Sequence, residues 1–441
     1  MKFKKIEEIA KKLGIEEVEV YRVDTTSNEL NTYNSTVNKN EISHLDVMAV
    51  RGVYNKQLAT VYVEDISIEA ITKALEALKE NARLIEKKVP YVIYGGSDSY
   101  PEIKKVKSDF NKFTQEEKIK LCFDTEEYMK TLDPRITQTE MEYSETSKTL
   151  SIINSNGLDV QTSNEYLVIY CVAIATDGEE SKQGYSYKIL DKFSDINYKE
   201  LAEEAVNKAT RSFGAKRLDS GIYNVIFDRE QVSTLLRAYS GIFSAKAVEK
   251  NMSFLKNKVG EQVFGTNITI IDDPLDTRSS EVQAFDDEGV ASVKTEVVKN
   301  GVLKTYLHNL ETATTFKTKS TSNAVKAGVA GSVGIGTTNF YLESTGENFN
   351  ELLASAKNGV YITELMGAHA GIDPLSGAFS LQASGFRIKD GKIDEPLTLM
   401  IVSGNIKDVF NNVVGISNDF KYTFGSGSGH MFVKGLNISG K

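Results

Sequence analysis

Apolar residues recur at helical spacing through the first half of the chain. Between Ile68 and Ile85 they fall three and four positions apart, which predicts an amphipathic helix that Pro90 would end. Thr114 and Glu117 form the pattern of a capping box and predict a second long helix. The same spacing predicts two shorter helices, one at each end of this half.

Strand-like runs lie between these helices. Two of them flank the polar segment 51–57, which predicts a hairpin. Three further runs follow, at residues 136–143, 149–154 and 166–176. We therefore expect an α+β half whose sheet is mixed.

The pattern changes after residues 212–221, a polar segment that we interpret as a linker. One strand and one helix, predicted over residues 229–243, come next. Beyond Val263 short β-type runs alternate with Gly, Asn, Asp and Ser, which is typical of a barrel-like or sandwich-like domain. The predicted fold class is α+β, with an N-terminal mixed α/β domain over 1–215 and a C-terminal, predominantly antiparallel β domain over 216–441.

Length and composition fit two soluble globular domains. The chain has 441 residues, of which 40% are hydrophobic, and no apolar run approaches the roughly 20 residues that cross a bilayer. Its first ten residues are interrupted by charges, unlike a secretory signal, so we expect a cytoplasmic protein without membrane contact. The net charge of −9 argues against a nucleic-acid surface.

Histidine and cysteine are too sparse for the common catalytic sites. The two cysteines, Cys122 and Cys171, cannot form a disulfide framework, and Cys171 lies in a run that predicts a buried strand. No two of the four histidines are within sixty residues of each other, so a helical pair of zinc ligands is missing. The pattern argues against a His- or Cys-dependent enzyme acting on its own.

Two glycine-rich segments invite a functional interpretation that their surroundings do not support. Residues 425–429 read Gly-Ser-Gly-Ser-Gly, but His430 follows them and no helix-forming run does, so we interpret the segment as a flexible loop and not as a nucleophile elbow. Residues 328–336 lack the Gly-Lys-Ser/Thr ending of a phosphate-binding loop. Close approach of backbone explains that second segment better.

An acidic cluster is the remaining candidate for a metal site. Seven carboxylates lie within the seventeen residues 272–288, and Asp272, Asp273, Asp286 and Asp287 would be the ligands of a divalent cation. Their spacing matches no EF-hand loop. We favour solvated turns, in which residues 286–289 cap a β turn.

A series of short motifs follows one order and spacing through nearly the whole chain: residues 253–262, 270–274, 285–290, 300–303, 320–324, 371–380, 383–386, 403–405 and 435–440. Together they resemble the TldD/PmbA family, once named modulators of DNA gyrase, and more closely its PmbA (TldE) branch. Two positions depart from the branch pattern, because Ser322 replaces a usual Gly and His430 stands near a frequent Pro.

The resemblance implies a division of labour between two branches. TldD members carry a helical His-Glu-x-x-x-His motif and a later Cys, bind zinc and hydrolyse peptides, whereas PmbA members pair with TldD without the metal ligands. Here Leu236, Arg237 and Gly241 stand at the motif positions, and the second half contains no Cys. The resemblance therefore implies no catalytic residue, metal ligand or cofactor in this chain, and zinc in a TldD-type partner.

Our first hypothesis is a non-catalytic subunit of a peptidase assembly that handles unfolded peptides, paired with a TldD-type subunit as a heterodimer or with itself as a homodimer. An extended peptide would add to a glycine-interrupted β edge. The candidate contact residues are Gly334, Gly336, His369, Asp373, Ser376 and Gly385.

The alternative hypothesis is a stand-alone homodimeric hydrolase that binds a metal through the acidic cluster, with His369 as a further ligand. A third interpretation, direct action on DNA gyrase or DNA, rests only on the older family name. The acidic net charge disfavours it.

Overall fold

The computed structural model describes residues 3–86, 92–104 and 106–441. The chain forms two compact units. The first holds Met1–Phe213 together with Ala284–Ala291 and Lys326–Val333. The second holds the ranges Gly214–Gln283, Ser292–Val325 and Gly334–Lys441. Two short segments of the second half thus belong to the first unit, which the residue pattern did not predict.

The first unit is a six-stranded antiparallel sheet with helices packed against it. Its helices are α1 (Phe3–Lys12), α2 (Ile68–Arg83), α3 (Gln115–Leu132) and α4 (Tyr198–Thr210), with short 3₁₀ turns at Phe110–Lys112 and Phe193–Asp195. Its strands are β1 (Glu17–Tyr33), β2 (Thr36–Tyr54), β3 (Gln57–Val63), β4 (Ile136–Asn154), β5 (Asp159–Asp177) and β6 (Glu180–Leu190). The strands pair in the order β3-β2-β1-β4-β5-β6.

The predicted mixed sheet is wrong in this unit, since every pairing in that order is antiparallel. Two-residue turns make this topology possible: Asn34-Ser35 joins β1 to β2 and Asn55-Lys56 joins β2 to β3, all four residues at positive φ. The second turn, residues 55–56, lies near the end of the segment 51–57 for which the hairpin turn was predicted. The two predicted strands 136–143 and 149–154 are one continuous strand, β4.

Alternation along β1 assigns its side chains to two cores. Val18 and Val20 pack with α1 and α2, for example against Ile71 and Leu75. Tyr21 and Val23 point the other way, into a cluster that includes Phe285 of the added segment. A third core packs α3 and α4 on β4 and β5 and buries Cys122 and Cys171 completely, which confirms the buried strand predicted around Cys171.

The predicted helices form where their spacing placed them. In α2 the Ser67 side chain accepts a hydrogen bond from Ala70 N, and in α3 Thr114 and Glu117 complete the predicted capping box. Pro90, the predicted stop of α2, lies outside the described residues. None of the described helices has the length and apolar character that a membrane span requires.

The second unit combines a barrel with a second sheet. Its helices are α5 (Arg229–Tyr239), α6 (Ala245–Glu249), α7 (Leu310–Phe316), α8 (Phe349–Ala356), α9 (Ala368–Gly371) and α10 (Ile406–Asn411). The strands of the second half are β7 (Gly221–Phe227), β8 (Ile270–Asp272), β9 (Thr295–Lys299), β10 (Val302–Leu303), β11 (Ala324–Lys326), β12 (Val333–Ile335), β13 (Phe340–Leu342), β14 (Gly359–Met366), β15 (Ala378–Lys389), β16 (Lys392–Asn405), β17 (Val413–Ile416), β18 (Lys421–Thr423), β19 (Ser426–Ser428) and β20 (Met431–Ser439).

Strands β16, β15, β14, β7 and β20 pair in that order, and β20 returns to pair with β16. This closes a barrel in which only β14 and β7 run parallel, so the predicted barrel-like, predominantly antiparallel domain is confirmed. A second sheet has the order β10-β9-β8-β13-β19-β18, and β11 pairs with β12. The helix predicted over 229–243 is α5 followed by a 3₁₀ turn, Ser240–Phe243.

The glycine-serine segment is a strand, not the flexible loop predicted for it. Ser426–Ser428 is the buried strand β19, which pairs with β13 and β18. A Cβ at Gly427 would stand 2.3 Å from the Phe420 ring, and one at Gly429 would stand 1.9 Å from the Ser417 carbonyl oxygen. These glycines therefore serve close packing.

We predict that Gly184→Ala lowers the free energy of unfolding by about 2 to 3 kcal/mol. A Cβ there would lie 2.1 Å from the Ala205 oxygen and 2.3 Å from the Ala209 nitrogen of α4, so the helix must move off β6. Urea unfolding measures the change. The matched control is Gly241→Ala, because no atom lies within 4 Å of its added Cβ and its φ is not positive; it should change stability by less than about 1 kcal/mol. Equal midpoints for the two variants would contradict the packing described.

Candidate functional site

Helix α5 and the 3₁₀ turn after it carry the three positions at which the resemblance placed metal ligands. Asp228 begins the helix by accepting a hydrogen bond from Glu230 N. The apolar positions predicted for this segment, including Leu236, are buried in the core of the second unit. The helix packs against β14, β18 and β19, so its remaining face is held in a fixed orientation.

The residues at the motif positions do not fit a zinc ion. Leu236 is 1% exposed and has no donor atom, and Gly241 has no side chain and lies after the α-helix has tightened into the 3₁₀ turn. Arg237 is exposed, donates to the Thr423 carbonyl oxygen at 3.3 Å, and lies 5.6 Å from the centre of the Phe424 ring. The motif needs two imidazoles and a carboxylate. The guanidinium of Arg237, the hydrocarbon side chain of Leu236 and the hydrogen atom of Gly241 cannot replace them.

We also searched the described part of the chain for a metal site built from other residues. Within residues 3–86, 92–104 and 106–441, no group of three or more His, Cys, Asp or Glu side chains is arranged to hold a metal ion. The cysteines lie in the first unit, where burial raises the pKa of each thiol, Cys122 and Cys171, to about 12. A thiol that stays protonated is a poor ligand and a poor nucleophile.

The candidate peptide-contact residues fall in three places. Gly334 and Gly336 lie on and just after β12, and Gly334 is exposed. The backbone of Gly336 both donates to and accepts from Asn323, which fixes this segment beside β11. Among the described residues, β11 is the strand with which β12 pairs.

His369, Asp373 and Ser376 share one exposed segment between β14 and β15. Asp373 shapes it by accepting from Leu375 N at 3.0 Å and from the Ser376 hydroxyl at 2.6 Å. The Ser376 hydrogen bond, followed by that from Leu375 N, lowers the pKa of Asp373. The Tyr239 hydroxyl of α5 donates to the carbonyl oxygens of residues 377 and 378, so the segment is fastened to the helix.

Gly385 lies in a different setting from the other candidates. It is buried within β15, and a Cβ there would stand 1.9 Å from the Tyr361 carbonyl oxygen of β14. Close contact between neighbouring barrel strands accounts for this glycine. Because Gly385 is buried, it cannot belong to an exposed peptide-binding surface.

The four aspartates of the alternative metal site divide between the two units. Asp272 and Asp273 belong to the second unit. Asp272 is 1% exposed and accepts hydrogen bonds from the Asn323 side-chain amide and from both the backbone N and the hydroxyl of Thr338. Burial raises the pKa of Asp272 to about 6 against these hydrogen bonds. Asp273 accepts from Leu275 N and lies 3.3 Å from the Lys294 ammonium.

Asp286 and Asp287 belong to the first unit. Asp286 caps a turn by accepting from Glu288 N and Val290 N, which is the turn predicted for residues 286–289. Asp287 accepts from the Tyr21 hydroxyl at 2.7 Å and from the backbone N of residue 326 at 2.7 Å. The prediction that these turns are solvated is wrong, because Asp272 and Asp286 are at most 2% exposed. Each buried carboxylate is instead satisfied by donors of its own unit.

The structure assembles a polar network around His430 that the sequence interpretation missed. The imidazole is 5% exposed and stacks on Phe349, with ring centres 4.0 Å apart. Its Nδ1 lies 3.0 Å from Asp419 and its Nε2 lies 3.3 Å from Asp228. The Tyr361 hydroxyl donates to Asp228 at 2.6 Å.

This network joins the start of α5 to the start of β20. Burial would raise the pKa of Asp228, but the hydrogen bond and charge of His430 and the Tyr361 hydroxyl together hold the pKa well below its usual range. The pKa of Asp419 is also lowered, because hydrogen bonds from Ser417 and His430 outweigh burial. With a carboxylate at each ring nitrogen, His430 is a structural group. No local sequence pattern predicts this network, because the partners of His430 lie on distant parts of the chain.

Family models of known proteins match the chain in three parts. The PmbA/TldA metallopeptidase domain 1 matches residues 18–82, the central domain matches residues 108–213, and the C-terminal domain matches residues 220–440. The third match alone covers half of the chain.

Several relatives are named metalloproteases. One from Methanocaldococcus jannaschii is 29% identical over 86% of this chain and 84% of its own length. The metalloprotease PmbA homolog of Buchnera aphidicola subsp. Acyrthosiphon pisum is 27% identical over 96% of this chain and 93% of its own. A metalloprotease of Methanothermobacter thermautotrophicus is 30% identical over 66% of this chain and 64% of its own length.

Solved structures agree with the fold. A Thermotoga maritima protein described as a modulator of a DNA gyrase has a TM-score of 0.91 at 28% identity, over 99% of this chain and 100% of that one. TldE from Thermococcus kodakarensis has a TM-score of 0.88 at 19% identity, over 99% and 100% of the two chains. The second likeness concerns the fold alone.

We predict that Asp228→Asn lowers the free energy of unfolding at pH 7 by about 2 kcal/mol, because it removes the charge of a mostly buried carboxylate that accepts hydrogen bonds from the Tyr361 hydroxyl and from Glu230 N. Asparagine keeps the cap of α5. The folded pKa of Asp228 is depressed, so its contribution is complete above the unfolded value of about 3.9 and is lost as the pH falls toward the folded pKa. Urea unfolding between pH 7 and pH 2 should show the two proteins converging below about pH 4.

The matched control is Asp219→Asn, since the Asp219 side chain is 80% exposed and 3.5 Å from Lys441. It should leave the midpoint unchanged at every pH. A gap between wild type and Asp228→Asn that stays constant down to pH 2 would contradict the network described.

Proposed function

The chain belongs to the PmbA/TldD metallopeptidase family, and from this premise we propose that it is a non-catalytic, PmbA/TldE-like subunit of a TldD-type zinc metallopeptidase assembly that processes or degrades unfolded peptides. The observation that carries the proposal is the state of α5. At the three motif positions it has the buried Leu236, the exposed Arg237 and the side-chain-free Gly241. Zinc and the groups that activate water would come from the partner.

A binding role is supported by the surfaces that remain. The exposed Gly334 on β12 and the exposed segment of His369, Asp373 and Ser376 present backbone and small polar groups. An extended peptide that adds to a strand edge is held mainly by main-chain hydrogen bonds, so affinity comes with little side-chain selectivity. Unfolded peptides of varied sequence are the substrates that such a surface suits.

The alternative is a stand-alone homodimeric hydrolase that uses Asp272, Asp273, Asp286 and Asp287. Two observations weigh against it. Asp272 and Asp286 are at most 2% exposed, so their carboxylates have little access to an ion from solvent. The aspartate oxygens also accept hydrogen bonds from neighbours, such as Thr338 on Asp272 and Tyr21 on Asp287. A metal would have to replace these donors.

We predict that the purified chain alone contains no stoichiometric metal and cleaves no unfolded peptide, and that a mixture with a TldD-type subunit does both. The measurement is metal content after chelator-free purification, together with cleavage of an unfolded peptide by each protein and by the mixture. The control replaces the TldD-type subunit by a variant that lacks its zinc ligands. Stoichiometric metal and cleavage in the lone chain would overturn the proposal in favour of the acidic cluster.

We also predict that Gly334→Pro lowers the rate of peptide cleavage by the reconstituted pair several-fold. Proline removes the backbone N–H and fixes φ, which distorts the β12 backbone against which the peptide would pair. Gly334→Ala is the matched control, because its φ is not positive and the nearest atom to the added Cβ is the Val325 oxygen at 3.6 Å. The comparison requires that Gly334→Pro and Gly334→Ala have the same thermal unfolding midpoint, so that a difference in cleavage does not come from loss of the fold. Equal cleavage by the two variants would remove β12 from the peptide surface.

A further inference from the structure

Three aromatic rings of the second unit form a cage beside α5. Phe420 and Tyr422 meet edge to face with ring centres 4.8 Å apart, and Tyr341 completes the group at 5.7 Å from Phe420 and 6.2 Å from Tyr422. Gly427 of β19 allows this packing, because a Cβ there would stand 2.3 Å from the Phe420 ring and 2.9 Å from Tyr422. Strands β18 and β19, which carry Tyr422 and Gly427, pack directly on α5.

The cage holds a guanidinium group of the chain itself. The central carbon of the Arg278 guanidinium lies 4.1 Å from the ring centre of Phe420, 4.6 Å from that of Tyr341 and 5.8 Å from that of Tyr422. Cation–π attraction of this kind acts within about 6 Å of the ring centre. All three rings are therefore within range of one cation.

A carboxylate completes the recognition of the cation. Asp276 accepts from Arg278 Nε at 3.0 Å and from the Tyr422 hydroxyl at 2.6 Å. The Asp276 side chain is 8% exposed, whereas that of Arg278 is 47% exposed. Burial would raise the pKa of Asp276, but the hydrogen bonds from Arg278 and Tyr422 lower it overall. Tyr341 and the Asp276 carboxylate are buried, Phe420 and Tyr422 are half-buried, and the Arg278 side chain reaches the surface.

The loop that carries Arg278 is closed by its own backbone. Gln283 N donates to the Pro274 oxygen at 3.0 Å, and Ser279 N donates to the Asp276 oxygen at 3.1 Å. The Lys294 ammonium donates to the Tyr341 hydroxyl at 3.3 Å and lies 3.3 Å from an Asp273 oxygen. The loop can therefore keep its conformation when the Arg278 side chain leaves the cage.

We propose that Tyr341, Phe420, Tyr422 and Asp276 form a binding site for a positively charged side chain of a peptide, arginine above all, and that Arg278 occupies it in the free protein as a tethered competitor. Planar guanidinium is suited to this site because it stacks on rings while its edge donates to a carboxylate. The inference rests on the proposed function only in taking a peptide as the carrier of the cation.

The experiment titrates N-acetyl-arginine amide into this chain alone by calorimetry. Arg278→Ala opens the cage and should bind the probe about tenfold or more tightly than wild type. Arg278→Lys, which keeps a tethered cation, should gain much less. N-acetyl-norleucine amide is the neutral control ligand, and the double variant Arg278→Ala with Asp276→Asn removes the anion; both should abolish the gain.

Arginine binding that does not rise in Arg278→Ala, or that rises equally for norleucine, would overturn the proposal. Thermal unfolding shows whether Arg278→Ala keeps the fold. If its midpoint collapses, Arg278→Gln is titrated in its place, because it keeps the side-chain stem and one donor toward Asp276; a probe affinity equal to that of wild type then overturns the proposal. Zinc and a partner subunit are absent from this experiment, so its failure does not affect the accessory-subunit proposal. Failure of the cleavage experiment likewise does not affect the proposed arginine site.

Discussion

Closure of the barrel is the constraint on which the second unit depends. Strand β20 pairs with β7 on one side and with β16 on the other, so the last strand of the chain completes a cylinder begun by the first strand of the unit. Helix α5 follows β7 after a single residue, Asp228, and its direction is therefore set by the barrel. The side chains of Asp228 and His430 connect the same two elements, because Asp228 begins α5 and His430 immediately precedes β20. Main-chain pairing and a buried charged network thus fix the same junction.

This constraint explains why a metal ligand would be hard to introduce at the motif positions in α5 and the turn after it. Leu236 is part of the core that fills the space between helix and barrel, and a ligand side chain there would exchange apolar burial for a buried polar group that needs partners. Gly241 lies beyond the α-helical portion, where the backbone has tightened into a 3₁₀ turn. The helix is retained for packing, while the exposed Arg237 gives its outer face a positive charge. The helix therefore keeps its packing role in the fold while its motif positions offer no metal ligand.

Local patterns predicted the elements whose cause is local. The three-four spacing of α2 and α5, the capping box of α3 and the buried run around Cys171 all depend on residues close in sequence. The polar outer half of β2, residues 36–45, escaped prediction because all of it is exposed and it lacks apolar alternation. The buried carboxylates and the His430 network escaped for another reason: their partners meet only through topology. The sequence around Asp286 is typical of a solvated turn. Its burial follows from the packing of its segment within the first unit, which local sequence does not indicate.

The distribution of hydrogen bonds favours binding over chemistry in this chain. Asp272 has a pKa raised to about 6 by burial, a value expected of a proton-transfer group, yet its two oxygens accept three hydrogen bonds from Asn323 and Thr338. Geometry therefore assigns it a structural role, since a general base needs a lone pair directed at a substrate. The aromatic cage differs, because its cation comes from a half-exposed side chain on a loop that closes without it. The group with fixed partners, Asp272, is thus buried, whereas the Arg278 side chain, which can leave its partners, reaches the surface.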